Sequence, residues 1–219
     1  MKNIIFIAPP AAGKGTQAGL ISSKYDMPHI STGDILRNAS HEDTERGRYI
    51  AGEIAKGHFV SSDIMLELIT ERLQQSDCNN GYILDGFPRS IEQAEQYEDI
   101  LKKINKEIGY VIVLDVDKEV AKNRIVGRIS CPKCGRVYNE NIENSQPKVE
   151  GICDRCHSNL IKRSDDNAET FDGRFQTYLE KTKPLIDYYE KQNVLYHVNS
   201  DLGKENTFKQ IEDIIASSL

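Results

Sequence analysis

The apolar positions along the chain fall into two kinds of segment. Short runs at Ile4-Ile5-Phe6-Ile7, Met27-Pro28-His29-Ile30, Tyr82-Ile83-Leu84-Asp85, Tyr110 to Val116 and Val194 to Val198 read as five strands. The near-continuous apolar character of several is that of parallel strands covered on both faces. Between them the period becomes helical. Thr16 to Lys24 is one helix, a second opens at Ser31-Thr32-Gly33-Asp34 with Thr32 as N-cap, and a third runs from about Thr44 to Lys56 with Gly57 as its terminator. Ser61-Ser62-Asp63 caps a helix whose Ile64, Met65, Leu68, Ile69 and Leu73 form an apolar stripe. Ser90 to Lys103, Asp117 to about Gly127, and a last helix carrying Phe208, Ile211 and Ile215 complete the alternation. Strands alternating with helices predict an α/β protein with a five-stranded parallel sheet flanked by helices.

Two stretches interrupt this order. Neither helix within residues 31–60 is strongly apolar on one face, so the segment reads as a small helical insertion. Between Ser130 and Ser164 no period is sustained, and Cys, Asn, Pro and Gly accumulate. The helical pattern resumes at Asp166, with Glu169 in the capping-box position and Phe171, Phe175, Tyr178 and Leu179 on one face, until Pro184 interrupts it.

Composition narrows the reading. The 219 residues suffice for one main domain with insertions, and a net charge of −6 disfavours a general nucleic-acid or anionic-membrane binder. The first apolar run is too short for a signal peptide or a membrane span, which makes a cytoplasmic enzyme the expectation. Five cysteines, four of them clustered, fit metal better than a disulfide framework; Cys78 stands apart and receives no function.

Three groups of residues carry chemistry. The first is Ala8-Pro9-Pro10-Ala11-Ala12-Gly13-Lys14-Gly15-Thr16, a small-residue loop between a strand and a helix start. Backbone N–H groups around Gly13 to Thr16, the helix N-terminus and the Lys14 ammonium can together hold a phosphate chain. Against the pattern G-x-x-x-x-G-K-[ST], Ala8 replaces the first Gly and Gly15 stands where Ser or Thr follows the Lys. A simple strand-to-helix turn with an exposed lysine is the alternative.

The second group is Cys131-Pro-Lys-Cys134 and Cys153-Asp-Arg-Cys156, a C-x2-C-x18-C-x2-C spacing that lets two knuckles offer four thiolates, with Gly135 suited to the first turn. Four sulfur ligands leave no open position, so a structural Zn²⁺ is expected. Cys153 to His157 also fits the haem-attachment pattern C-x-x-C-H, and a nucleic-acid ribbon is a further rival. The ribbon's Lys133, Arg136, Lys148 and Arg155 are, however, interleaved with Glu140, Glu143, Glu150 and Asp154.

The third group is a set of arginines. Arg124 and Arg128, four apart at a helix end and so on one face, lead into the cysteine segment; Arg163 leaves it and Arg174 lies on the next helix. Arg37 and Arg89 mark the other insertion and the sheet edge. Guanidinium groups at the hinges of a flap, facing a phosphate loop, suit phosphoryl transfer, although any one of them could pair with a surface carboxylate instead.

These residues together make the chain resemble the adenylate kinases, specifically the bacterial long-lid type with a metal-bearing lid, over essentially its whole length. The motifs are Gly13-Lys14-Gly15-Thr16-Gln17, Ser31-Thr32-Gly33-Asp34 with Arg37, Asp85-Gly86-Phe87-Pro88-Arg89 with Gln93, Arg124-Ile-Val-Gly-Arg128, and Arg163-Ser-Asp165-Asp166 leading to Arg174. The resemblance implies the P-loop nucleoside monophosphate kinase fold. Its core would be residues 1–30, 61–127 and 164–219, with a monophosphate-binding insertion at 31–60 and a zinc-ribbon lid at 128–163.

It further implies that Ala12, Gly13, Lys14, Gly15, Thr16, Arg124 and Arg128 bind ATP, Arg124 stacking on its adenine. AMP falls to Thr32, Arg37, Gly86, Arg89 and Gln93, with Arg163 and Arg174; Gln93 also fits a capping box with Ser90, but its place just after the sheet-edge loop favours the ligand role. Lys14, Arg128, Arg163 and Arg174 would clamp the migrating group beside Arg89, and Asp85 would orient Mg²⁺ through its waters. Asp165 and Asp166 would hold the lid and arginines in place. The implied reaction converts ATP and AMP to two ADP in a monomer that needs neither nucleic acid nor membrane. A kinase acting on UMP or CMP and an ATP-gated zinc-ribbon binding module are the alternatives. Ala8 and Ala11 depart from the family's usual glycines, the span between the Cys pairs is slightly long, and Gly57-His-Phe59-Val60-Ser-Ser62 replaces Gly-x-Leu-Val-x-Asp. Both alanines are expected at negative φ, where neither is strained.

Overall fold

The computed structural model describes residues 2–55, 60–162 and 166–217. Gly57, the expected helix terminator, and Arg163 and Asp165 lie outside the described residues. Five strands form the main sheet: β1 (Ile4–Ile7), β2 (His29–Ser31), β3 (Ile83–Asp85), β4 (Tyr110–Asp115) and, near the end of the chain, Leu195–Asn199. A separate antiparallel pair, β5 (Arg128–Ser130) and β6 (Val137–Asn139), lies in the cysteine segment, so the last strand of the sheet is β7. The order is β2-β3-β1-β4-β7, and β1 pairs in parallel with both β3 and β4. All four residues of β1 are at most 2 % exposed, which is why its run is apolar without alternation.

The helices follow the predicted order: α1 (Lys14–Tyr25), α2 (Thr32–Ser40), α3 (Glu45–Ala55), α4 (Ser62–Leu73), α5 (Ile91–Lys103), α6 (Lys118–Val126), α7 (Ala168–Thr177), α8 (Pro184–Glu190) and α9 (Lys204–Ala216). Three details differ from expectation, each for a local reason. The N-cap of α2 is Ser31 and not Thr32: the Ser31 hydroxyl accepts the Asp34 N–H, while the Thr32 hydroxyl is drawn to the Gly86 carbonyl. Asn167, not Asp166, caps α7, because the Asp166 carboxylate is spent on Arg128. Arg128 also leaves the helical face shared with Arg124, since α6 stops at Val126 with Gly127 as its C-cap. A Cβ on Gly127 would lie 2.4 Å from Asn139 Oδ1, and the Asn139 amide donates to the Arg124 carbonyl at 2.8 Å. A side chain of β6 thus closes the end of α6 and turns the chain into β5. Pro184 sits in the first turn of α8 after a π-helical turn at Tyr178–Thr182, where its missing N–H costs nothing.

The chain divides into two compact units. The first comprises Met1–Ile7, Ala18–Val113 and Lys181–Tyr196. Within it, Ala39, Ile50 and Leu68 form a small core with Ile35, Leu36, Val60 and Ile64, so α2 and α3 pack on α4 and bury apolar surface of their own. Under the β3 end, Phe87 packs edge-on against Tyr97, whose hydroxyl meets that of Tyr82 at 2.6 Å. The second unit comprises Ala8–Gln17, Leu114–Glu180 and His197–Leu219. Its core joins Ala121, Ile125 and Phe171 with Ala11, Val116 and Phe175.

Candidate active site

In the second unit, the loop after β1 leads into a helix that begins at Lys14 itself, two residues earlier than predicted. The first turn therefore starts inside the motif, and the N–H groups of its opening residues have no intrahelical carbonyl to meet. Gly13 adopts φ 97°, a left-handed value that glycine takes without strain. Lys14 folds back over the loop, its Nζ 3.2 Å from the Ala8 carbonyl. Ala8 keeps the expected negative φ, but Ala11 does not: its φ is 62°. The expectation for Ala11 is overturned, and packing supplies the reason. Its methyl lies against the cluster of Ala121, Ile125 and Phe171, so a left-handed alanine recovers by burial part of what its backbone costs.

Arg124, on α6, is half-buried, and burial pulls its guanidinium below the ordinary arginine range while Asp201 opposes the shift. Its Nη1 and Nη2 donate to the hydroxyl and carbonyl of Ser200, at 3.3 and 2.8 Å. Arg128, opening β5, makes a two-pronged contact with Asp166, Nε to Oδ2 at 2.7 Å and Nη2 to Oδ1 at 2.5 Å. The Asp166 side chain is fully buried. A buried carboxylate with both oxygens held by one guanidinium plane fixes that plane's orientation. Arg174 lies in the last turn of α7.

The cysteine segment belongs to the same unit. The Sγ atoms of Cys131, Cys134, Cys153 and Cys156 all lie within 4.8 Å of one another, with Cys131 to Cys156 at 3.3 Å and Cys134 to Cys153 at 3.5 Å. A tetrahedron of 2.3 Å zinc–sulfur bonds needs sulfurs about 3.8 Å apart, so the four thiols fit a structural Zn²⁺. Each knuckle closes alike: Gly135 donates its N–H to the Cys131 carbonyl and His157 to that of Cys153, both with positive φ. Tyr138 stands behind, with its hydroxyl accepting the Asp154 N–H at 2.8 Å and directed to Cys153 Sγ at 3.6 Å. The cluster's buried core consists of Ile129, Cys131, Tyr138 and Cys153, two of which are the proposed ligands themselves.

In the first unit, the end of β3 gathers the other set. Asp85 is the last residue of the strand, and Gly86 follows at φ 88°. Arg89 curls back so that its Nε donates to the Gly86 carbonyl at 2.7 Å, an oxygen that Thr32 Oγ1 also approaches at 3.3 Å. Glycine is required here by space as well as by φ, since a Cβ would meet Thr32 Oγ1 at 2.6 Å and Arg89 Nη2 at 2.9 Å. Ser90 caps α5 by accepting the Gln93 N–H, and Gln93 Oε1 accepts the Arg89 N–H at 2.8 Å. The capping exchange is thus present, displaced by one residue, and it steadies the backbone of Arg89. Arg37 is exposed on α2 and pairs with Asp34 one turn back.

Two neighbours of these residues went unrecognised in the sequence. His29 Nε2 lies 3.3 Å from Asp85 Oδ2. Parallel pairing of β2 with β3 sets Ser31 opposite Asp85, and only that register brings the two side chains close. Ser200 has no motif signal beyond its place just past β7, at the strand ends where α/β sheets bind ligands.

Comparison with known proteins identifies the family. A family model described as adenylate kinase matches residues 6–194. The chain is similar to an adenylate kinase of Clostridioides difficile, 44% identical over 98% of this chain and 97% of that one. It is also similar to one of Archaeoglobus fulgidus, 44% identical over 97% of each, and to one of Acetivibrio thermocellus, 45% identical over 95% of each. The chain belongs to the adenylate kinase family and is a phosphotransferase of the nucleoside monophosphate kinase class.

Proposed function

We propose that this phosphotransferase moves the terminal phosphoryl group of ATP onto AMP, reversibly, giving two ADP. The observation that supports the reading most is the Gly86–Arg89 loop, where a guanidinium is held beside Thr32 at the strand end by a carbonyl that only glycine leaves accessible. That is a cradle for one phosphate on a monophosphate substrate. An AMP phosphate oxygen attacks the terminal phosphorus in line, and the bond to the ADP oxygen breaks as the new P–O bond forms. No protein nucleophile takes part; alignment and charge neutralisation are what the side chains supply. Lys14, Arg128 and Arg174, with Arg163, take the charge that spreads over the migrating oxygens. Arg89 and Arg37 hold the AMP phosphate, Gln93 the adenine edge, and Arg124 stacks on the adenine of ATP.

Mg²⁺ bound with ATP supplies further neutralisation at the phosphate oxygens, and Asp85, a hard carboxylate donor at the sheet edge, would hold it through water. Four thiolates suit a structural Zn²⁺ in a lid at 128–163, which closes together with the 31–60 insertion over a core of 1–30, 61–127 and 164–219 and excludes water. The enzyme works as a monomer in the cytoplasm, with no nucleic acid or membrane as partner. Among the described residues, no helix is long and apolar enough to cross a membrane.

A panel of monophosphates tests the reading. With ATP and Mg²⁺, ADP should form fastest on AMP, and Lys14→Met should lower turnover by orders of magnitude in a folded protein. Faster transfer to UMP or CMP would displace AMP as the acceptor, and no transfer to any monophosphate would overturn the assignment.

A further inference from the structure

Every hydrogen-bonding group of Ser200 is engaged, and its four bonds reach three places: the end of β4, the loop after β1 and, twice, Arg124. Its N–H donates to the Asp115 carbonyl at 2.8 Å, which anchors it to the end of β4. Its hydroxyl donates to the Ala12 carbonyl at 2.6 Å and accepts Arg124 Nη1 at 3.3 Å, while its own carbonyl accepts Arg124 Nη2 at 2.8 Å. The residue is 4 % exposed. A serine hydroxyl has one proton to give and lone pairs to receive, so one oxygen can be donor to the loop and acceptor for the arginine at once.

The geometry of the peptide makes this more than a brace. Ala12 C=O and Gly13 N–H belong to one planar trans unit and point in opposite directions. Holding the carbonyl toward Ser200 turns the Gly13 N–H to the other side, away from Ser200, free of the serine for a phosphate oxygen. The neighbouring peptides are held by the Ala12 N–H to the Pro9 carbonyl at 3.4 Å and the Gln17 N–H to the Gly13 carbonyl at 3.0 Å, and Ser200 is what holds the Ala12–Gly13 unit between them, at a glycine that permits several rotations. The same serine grips two nitrogens of Arg124, fixing the guanidinium plane. We propose that Ser200 is a positioning residue for the ATP half of the site. Its buried hydroxyl sets the Gly13 N–H for phosphate, and the hydroxyl and carbonyl together set the Arg124 plane for the nucleoside. The inference rests on the reading of this loop as the ATP cradle.

Equilibrium binding tests it without requiring turnover. ATP and inorganic tripolyphosphate are titrated by calorimetry into wild type, Ser200→Ala, Ser200→Thr and Arg124→Ala, with AMP as the control and thermal melts to verify folding. Ser200→Ala should weaken both ATP and tripolyphosphate by about tenfold, the loss of one oriented donor, and leave AMP within about twofold. Ser200→Thr, which keeps the hydroxyl, should recover most of that loss. Arg124→Ala should weaken ATP but not tripolyphosphate, separating the two arms of the serine. If Ser200→Ala does not fold, Ser200→Cys, with its weak S–H donor, replaces it under the same expectation. Wild-type affinity for ATP in the folded variant, or equal loss for ATP and AMP, overturns the proposal. A wild type that binds ATP yet transfers nothing would refute the proposed reaction while leaving this comparison intact.

Discussion

Replacing Gly86 by alanine should separate the two nucleotide sites more cleanly than any charge deletion. At φ 88° an L side chain is strained by about 1–2 kcal/mol. In a chain of this size that is a fall in Tm of about 2–8 °C. The new methyl would also lie 2.6 Å from Thr32 Oγ1 and 2.9 Å from Arg89 Nη2, inside contact distance for both. Thr32 is buried in the first turn of α2 and β-branched, so it yields little; the exposed Arg89 guanidinium is what moves. Its movement breaks the 2.7 Å bond from Nε to the Gly86 carbonyl and removes the guanidinium from its set position. A charge-assisted hydrogen bond is worth about 1.5–3 kcal/mol, so the AMP KM should rise about 10- to 100-fold. Steady-state rates with each nucleotide varied in turn, beside a thermal melt, provide the assay. The ATP KM should not move. Wild-type AMP kinetics in Gly86→Ala would refute both the clash and the role given to Arg89.

Three further outcomes are expected. Ala11→Gly relieves about 1–2 kcal/mol of backbone strain, loses about 0.8 kcal/mol of methyl burial and frees the unfolded chain by about 0.4–1 kcal/mol, so its stability should stay within about 1 kcal/mol of wild type. Ala11→Val, β-branched at the same φ, should lose more than about 2 kcal/mol, and a denaturant titration in which it matches wild type would contradict the packing account. Elemental analysis should find about one zinc per chain, and chelation should lower the melting temperature, because the cysteine segment's own core includes Cys131 and Cys153; iron in place of zinc, or no response to chelation, would count against a structural zinc. Burial raises the hydroxyls of Tyr82, Tyr97 and Tyr189 well above the ordinary tyrosine value, and pushes Tyr178 and Tyr188 up to about 12. Above about pH 10 the unfolded chain has released protons that the native state keeps, so stability must fall as pH rises through that point. Melts and tyrosinate absorbance recorded together should change together; a flat stability between about pH 9 and about pH 11.5 would show the burial to be misjudged.

The main alternation could be read from period because β1 and β4 are buried on both faces and several helices carry an apolar stripe or a cap, whereas β5 and β6, three residues each, show no period. The small-residue loop before Lys14, the Asp85–Arg89 segment and the paired cysteines could be picked out because each is contiguous or regularly spaced. What could not be read was decided by residues distant in sequence. Ala11 takes a left-handed backbone because of Phe171 and Phe175, some 160 positions away. Arg128 parts from Arg124 because Asn139 reaches back to the Arg124 carbonyl. Thr32 gives up the cap to Ser31 because Gly86 offers a carbonyl. Ser200 belongs to no pattern at all; only the fold sets it against Ala12 and Arg124. Local chemistry names the reagents, and tertiary contacts decide how they are aimed.

The pairing of Arg128 with Asp166 has an entropic side. A guanidinium presents five N–H donors around its rim, and Asp166 engages the Nε and Nη2 edge. An arginine side chain carries roughly 2 kcal/mol of rotamer freedom, which an unrestrained one must surrender when it grips a phosphate. Here that freedom is lost when the chain folds and the buried carboxylate closes on one edge. The remaining edge is then a rigid plate, not the tip of a mobile arm, and whatever it binds is met without that loss.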